Sequence, residues 1–187
     1  MHRIVFTGAQ GTGKTTVLNY FKENGFNVIT EVVRNLAKEG VNINENGDDE
    51  SQNIIFNKYY ELLSAFYPAG YISDRSLVDV AAYTKWLVEN GKVPEELFNS
   101  QIEDIRKFVR RNPDVMYCYY PIEFDVVDDG VRSTDEAFRR DIDIYIQEVF
   151  ELAGIAPIKI TGSVEDRVAK VTRVYNWIRE GISLHFD

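Results

Sequence analysis

Eight consecutive residues, Gly8-Ala9-Gln10-Gly11-Thr12-Gly13-Lys14-Thr15, have the types and spacing to hold a chain of phosphates. The glycines let the backbone curl until successive N–H groups face one point, a nest that an anion with several oxygens fills. Lys14 stands where its ammonium reaches the β- and γ-phosphates, and Thr15 where its hydroxyl ligates Mg²⁺. Ile4-Val5-Phe6 reads as an apolar strand entering the loop, and Thr16 to Phe21 as a helix leaving it. The positive N-terminus of that helix then faces the same anion. Residues Gly8, Ala9, Gln10, Gly11, Thr12, Gly13, Lys14, Thr15 and Thr16 are the expected contacts of a Mg²⁺-bound nucleoside triphosphate. Many reactions use such a loop, so the reaction must be read from other residues.

In a parallel sheet ligands gather at the carboxyl ends of the strands, which directs attention to the residues just after each one. Glu31-Val32-Val33-Arg34 follows the second strand. Its carboxylate could take a proton from an attacking hydroxyl while Arg34 holds an anionic group, or the two form a surface ion pair at a helix start. Ser73-Asp74-Arg75-Ser76 follows the third strand, with Asp79 close behind. Asp74 fits a carboxylate near Mg²⁺ and Arg75 a group on the acceptor or the transferring phosphoryl; the plainer alternative is a helix cap beside a solvated arginine. Asp128-Asp129-Gly130-Val131-Arg132 precedes a helix carrying Arg139 and Arg140. It reads as a lid over about 128–141, with Arg132 neutralising transition-state charge and Arg139 reaching a substrate, or as an acidic turn before a basic helix face. Thr161-Gly162-Ser163 and Arg167 either enclose an adenine, with the guanidinium stacked on it, or make a simple strand-to-helix turn. On the helix over 50–67, Gln52 and Phe56 are the expected base contacts, with Tyr59 and Tyr60 nearby, while Leu62, Leu63 and Phe66 read as core.

Positioning these residues requires strands alternating with helices. The apolar runs predict strands over 3–7, 27–30, 70–73, 115–120 and 157–161. Helical periodicity predicts helices over 14–24, 32–39, 50–67, 77–89, 95–111, 135–153 and 164–179. Asn24-Gly25 and Asn90-Gly91 read as helix stops, Pro94 as a helix start, and Ser163-x-x-Asp166 as a capping box. The polar stretch 42–51 is either a flap over a substrate or a solvated connection.

The chain has 187 residues, 44% of them hydrophobic and 27% charged, the balance of one ordinary globular domain over 1–187. No apolar run approaches the ~20 residues of a membrane span. The single cysteine, Cys118, cannot form an internal disulfide, which suits a cytoplasmic setting. His2 and His185 lie too far apart to join it in a structural zinc site. A net charge of −9 disfavours a nucleic-acid partner and leaves a small phosphate-bearing molecule as the natural ligand of local arginine clusters. The assembly is expected to be a monomer or homodimer.

The ordered set Gly8–Thr15, Glu31-x-x-Arg34, Asp74-Arg75-Ser76 and Asp128-Asp129-Gly130-x-Arg132 resembles the small P-loop kinase-like ATPases, among them the kinase domain of bifunctional nicotinamide riboside kinases. Asp74-Arg75-Ser76 is also similar to the signature of deoxynucleoside kinases and to the Asp-Arg of thymidylate kinases. The resemblance spans about Arg3 to Ile178. It implies a three-layer α/β/α fold with a five-stranded parallel sheet and a helical lid, ATP and Mg²⁺ as cofactors, and a nucleoside or nucleoside monophosphate as acceptor. It further implies Glu31 as base or sugar ligand and Arg75 at the acceptor's reacting end. The 187 residues leave no room for an adenylyltransferase half, and the lid lacks the arginine spacing of thymidylate kinases. Two readings stand beside kinase activity: a nucleotide-gated regulatory module, and a kinase of a base or end in DNA, which would need a basic trough.

Overall fold

A computed structural model of the chain describes residues 2–123 and 136–180. Its strands are β1 (Arg3–Thr7), β2 (Val28–Ile29), β3 (Tyr71–Ser73), β4 (Val115–Tyr119) and β5 (Ile158–Lys159). All pairings among them are parallel, in the order β2-β3-β1-β4-β5. The strand that feeds the phosphate loop is therefore central, with β3 and β4 on either side. The helices are α1 (Lys14–Glu23), α2 (Val32–Lys38), α3 (Asp49–Ser64), α4 (Leu77–Glu89), α5 (Glu95–Arg111), α6 (Glu136–Ala153) and α7 (Val164–Glu180).

Successive strand residues point to opposite faces, and the core divides accordingly. Val5, Tyr71, Tyr117 and Tyr119 pack on one face with apolar residues of α3, α4, α5 and α6. Ile4, Phe6, Ile72, Cys118 and Tyr120 pack on the other with Val17, Leu18 and Phe21 of α1 and Val171 and Val174 of α7. This is the expected three-layer α/β/α sandwich. The expected stops hold too: Asn24 and Asn90 are C-caps, and Gly25 and Gly91 follow them with left-handed backbone.

Two expectations change. Helix α3 ends at Ser64 instead of running to residue 67, because Pro68 disfavours helical geometry in the residue before it. Phe66 thereby leaves the buried face and is 77% exposed rather than core. The polar stretch 42–51 is folded rather than a bare connection. Asn44–Asn46 form one 3₁₀ turn, and Asp48 and Ser51 close a capping box on α3 with N···O distances of 2.8 Å each way. The Lys92 ammonium ties the turn to the end of α4 by donating to the Glu45 carbonyl.

At the start of β3, Gly70 has φ of +78°, and a Cβ there would lie 1.9 Å from the His2 carbonyl oxygen. The Tyr71 N–H donates to that same oxygen at 2.8 Å, so the backbones cannot separate without breaking the β1–β3 register. Gly70→Ala is expected to destabilise the chain by about 2–4 kcal/mol through strain and overpacking. A lower urea midpoint with an unchanged m-value is the measurement that checks it.

Candidate functional site

The loop between β1 and α1 is held by side chains that grip its carbonyl groups. Lys14 Nζ donates to the carbonyls of Gly8 (2.6 Å) and Ala9 (2.7 Å) and approaches Thr12 Oγ1 at 3.1 Å. The Thr12 hydroxyl donates to Ala9 O at 2.9 Å. Arg139 Nε donates to Gln10 O at 3.0 Å and Arg167 Nη1 to Thr12 O at 2.5 Å. Lys14 thus belongs to the loop's own framework, its ammonium committed to the carbonyls of Gly8 and Ala9.

A second framework fastens the loop's entry. Asp79, wholly buried in the first turn of α4, accepts from Gly8 N–H at 3.1 Å through Oδ1. Its Oδ2 accepts from Ser76 N–H and from the Ser76 hydroxyl, each at 2.8 Å. With the Ser76 hydrogen committed to Asp79, the Thr7 hydroxyl must be the donor in its 2.8 Å contact with Ser76 Oγ. Sequence reasoning gave Asp79 no role, although Ser76-x-x-Asp79 has the form of a capping box.

Asp74 leaves β3 beside this loop. Its backbone N–H donates to Ile29 O, and its Oδ2 accepts from the Thr30 hydroxyl at 3.0 Å. The other oxygen, Oδ1, is buried with no hydrogen-bond partner among the described residues. Burial raises the Asp74 pKa above the ordinary carboxylate value, against the opposing pull of Arg75, the Thr30 hydrogen bond and Lys14. A buried carboxylate oxygen without a donor suits a cation. Mg²⁺ takes few protein ligands and fills its shell with water and phosphate oxygens, so Asp74 together with the Thr15 hydroxyl fits that ion. Among the described residues there is no cluster of three metal-ligating side chains, the pattern of an all-protein metal cage.

One cleft of about 910 Å³, counting the space open to solvent, runs from Gln10–Thr16 past Glu31–Arg34 to Asp74 and Arg75, with Ile43, Asn44 and Tyr59 on its walls. Glu31 and Arg34 meet at 3.3 Å, each side chain 44% exposed. Glu31 has φ of 61° and Asn44 has φ of 53°, the two described non-glycine residues with left-handed backbone, and both face this cleft. The Arg75 guanidinium lies 5.3 Å from the centre of the Tyr83 ring. Burial would lower its pKa, but Tyr83, Tyr59, Asp79 and Asp74 outweigh that and hold it protonated. Beside Arg75 a smaller cavity opens between Val33, Ile43, Ile55 and Val80, where Asn44, Gln52, Arg75 and Tyr83 supply the polar groups. The Tyr83 hydroxyl is buried there without a partner among the described residues.

The structure therefore gathers Gln10–Thr16, Glu31, Arg34, Asp74, Arg75 and Gln52 around two adjoining spaces. Gly8 and Ala9, expected as triphosphate contacts, line neither: Gly8 spends its N–H on Asp79 and its carbonyl on Lys14, and Ala9 is wholly buried. Other expectations need correction. Phe56 is 4% exposed, packs in the core and lines neither space; Tyr59, three residues on, faces the cleft instead. Arg139, expected at a substrate, is 1% exposed and bound to the loop backbone, and it lines neither space. Arg167 is also 1% exposed, its guanidinium held by Thr12 O, Gly162 O and Glu123 and lying 5.7 Å over the Tyr120 ring, so no face is open for stacking on a base. Gly162 spends its N–H on Glu123 and its carbonyl on Arg167, so neither is open to an adenine edge. Arg132 and the rest of 128–135 lie outside the described residues; 136–141 of the expected lid are the start of α6. No described helix is long and apolar enough to cross a membrane.

A family model described as an AAA domain matches residues 3–167. No curated protein matches the chain. Among solved structures, the NadR protein in complex with NR superposes with a TM-score of 0.72 at 16% identity, over 99% of this chain and 53% of that one. The chain thus spans about half the length of NadR. Deoxyadenosine kinase from M. mycoides, solved with the products dCMP and dCDP, superposes with a TM-score of 0.64 at 15% identity, over 94% of this chain and 99% of that one. The same kinase with bound dATP gives 0.64 at 14% identity, over 94% and 100%. At such identities the likeness carries the fold, and the fold is that of P-loop kinases.

Because the folded chain favours protonated Asp74 relative to the unfolded chain, stability is gained as pH falls through the raised pKa and lost as pH rises through it. Ionisation of Asp74 is therefore a cost to the folded chain. Asp74→Asn keeps an oxygen for the Thr30 hydroxyl and removes the buried charge. Its melting temperature should equal or exceed the wild type, while Mg²⁺-dependent nucleotide turnover falls by on the order of 100-fold. Wild-type turnover should likewise decline on acidification above the usual aspartate range; thermal melts and pH–rate profiles check both.

Proposed function

The chain belongs to this AAA-domain family and has the fold of P-loop kinases, and from that premise we propose that it transfers the γ-phosphoryl group of Mg²⁺–ATP to a hydroxyl of a nucleoside. The observation that carries the proposal is the adjacency of two spaces: the phosphate loop opens into a cleft with Glu31, Asp74 and Arg75, and a smaller cavity lined in part by Asn44, Gln52 and Tyr83 shares Val33, Ile43, Asn44 and Arg75 with it. A nucleotide hydrolase working through water has no need of such a second pocket. The pocket's apolar residues, set with two amides, a phenol and the Arg75 guanidinium, suit a flat heterocycle with polar edges.

Charge favours a neutral acceptor over a monophosphate. Among the described residues on the acceptor side, Glu31 and Asp74 balance Arg34 and Arg75, and Arg34 is already paired with Glu31. A monophosphate would add about −1.5 to −2 charges without a further cation from these residues to meet them. A hydroxyl, by contrast, needs a base, and Glu31 stands exposed at the cleft. In the proposed step the acceptor oxygen bonds to the γ-phosphorus while the bond from that phosphorus to the β,γ-bridging oxygen breaks. The hydroxyl proton passes to the Glu31 carboxylate, and ADP leaves with the electron pair. Lys14 and the loop N–H groups meet the phosphate charge, Arg75 orients the acceptor, and Arg132 is assigned to transition-state charge by its motif. Mg²⁺ bound through Thr15 and Asp74 would neutralise the β- and γ-oxygens.

The test is ADP release from Mg²⁺–ATP with a panel of deoxynucleosides, ribonucleosides, nicotinamide riboside and the corresponding monophosphates. At least one nucleoside is expected to raise release well above background hydrolysis, and monophosphates are not. With that nucleoside, Glu31→Gln should lower kcat by about 10²–10⁴-fold with little change in KM. Release that no acceptor stimulates would remove the proposal's basis.

A further inference from the structure

Arg139 and Arg167 are among the largest side chains the fold buries completely, and both end on the phosphate loop. They arrive from different helices, α6 and α7. Arg139 Nε donates to Gln10 O at 3.0 Å, and Arg167 Nη1 donates to Thr12 O at 2.5 Å. Neither contacts the loop from the cleft side, since neither lines the cleft. In a planar trans peptide the C=O and the following N–H point in opposite directions. A cation fixed on Gln10 O therefore turns the N–H of Gly11 the other way, and one on Thr12 O does the same for the N–H of Gly13.

We propose that Arg139 and Arg167 are positioning residues of the donor site, acting on the triphosphate through these two peptide groups without touching it. Each guanidinium draws electron density toward the carbonyl and leaves the opposite N–H more positive, as hydrogen-bond chains polarise one another in a dry interior. Each also fixes the peptide plane, so the nest needs little reorganisation when phosphate arrives. Further contacts hold the arginines at their posts. Arg167 is tied to Glu123 (2.5 Å) and Gly162 O (2.9 Å), and Arg139 lies 3.5 Å from Glu136. A Cβ on Gly13 would lie 2.8 Å from Arg167 Nη1, so the glycine at this place in the loop is what lets the guanidinium approach. The inference rests on the loop's triphosphate reading but assigns the two arginines a part that reading does not contain.

Calorimetric titration with two probes, Mg²⁺–AMP-PNP and Mg²⁺–inorganic triphosphate, tests it. Arg139→Ala and Arg167→Ala should each weaken both probes by the same factor, on the order of ten- to a hundredfold. Millimolar guanidinium should restore part of the affinity of Arg167→Ala, a recovery that loss of packing alone would not show. An arginine that stacks on the base would weaken AMP-PNP and leave inorganic triphosphate unchanged, and that result overturns the proposal, as does wild-type affinity for both probes. If the alanine variants show no cooperative melt, Arg139→Lys and Arg167→Lys carry the test. A smaller but equal loss on both probes is expected of them, because one ammonium cannot reproduce the fork, and wild-type or unequal affinity refutes it. A wild-type protein that binds neither probe would bring down the triphosphate reading itself, and this inference with it.

Discussion

The structure turns on the orientation of a few peptide groups between Gly8 and Gly13. To present N–H groups to an anion, the loop must send its carbonyls the other way, into surroundings where an unpaired oxygen is costly. Each partner that answers this need comes from a different part of the chain. Lys14 and Thr12 answer locally for Gly8 and Ala9, Arg139 arrives from α6 for Gln10, and Arg167 arrives from α7 for Thr12. Two arginines taken out of water need compensation of their own, and Glu136 and Glu123 stand beside them. Burial pushes the Glu123 pKa up, but the Arg167 and Gly162 hydrogen bonds prevail and hold it below the ordinary value, consistent with an ionised partner. The way the first turns of α6 and α7, on opposite faces of the sheet, bring an arginine to the loop answers this requirement beside that of apolar packing.

Sheet order then decides which residues can meet the loop. Because β3 lies directly beside β1, Asp74 emerges next to the phosphate nest, whereas Glu31 comes from β2 one strand further out and faces the acceptor end. The irregular features collect in the same cleft. Left-handed backbone at Glu31 and Asn44 costs of order 1–3 kcal/mol each, and the unpartnered Oδ1 of Asp74 adds a desolvation penalty. The strands beneath are regular, and in this cleft stability is given up where a ligand would return it.

What could be read from the sequence was chemistry written in consecutive residues. Gly8–Thr15, Asp74-Arg75 and Glu31-x-x-Arg34 carry their own spacing, and the alternation of apolar runs led to the five strands and the three layers. What could not be read depends on contacts with no residue-type signature. Arg139 lies 129 positions from Gln10 and Arg167 155 positions from Thr12, and each binds a backbone carbonyl that any residue would offer. Arginine is ordinarily exposed, so residue type alone sets both against ligands that solvent could bring. Phe56 and Tyr59 show a second kind of limit. Both satisfy the aromatic periodicity of α3, and which one faces the cleft is set by the helix's rotation against its neighbours. Asp79 was within reach, since Ser76-x-x-Asp79 announces a carboxylate at a helix start, but nothing local says that the same carboxylate also holds Gly8.

That double duty bears on how two substrates would be aligned in the proposed transfer. Asp79 accepts from Gly8 with one oxygen and from Ser76 with the other, and Ser76 is the immediate neighbour of Arg75. The entry to the donor loop and the arginine of the acceptor cleft are therefore registered against a single buried carboxylate, which the N-terminal turn of α4 also favours electrostatically. In-line transfer requires the attacking and leaving oxygens to be placed together within narrow limits, and two independently anchored halves would each add their own error. A shared anchor ties the errors to one another: a shift of α4 carries Arg75 and the start of the phosphate loop in the same direction. In the proposed transfer the connection between donor and acceptor sites would thus run through one short buried network, Thr7–Ser76–Asp79–Gly8.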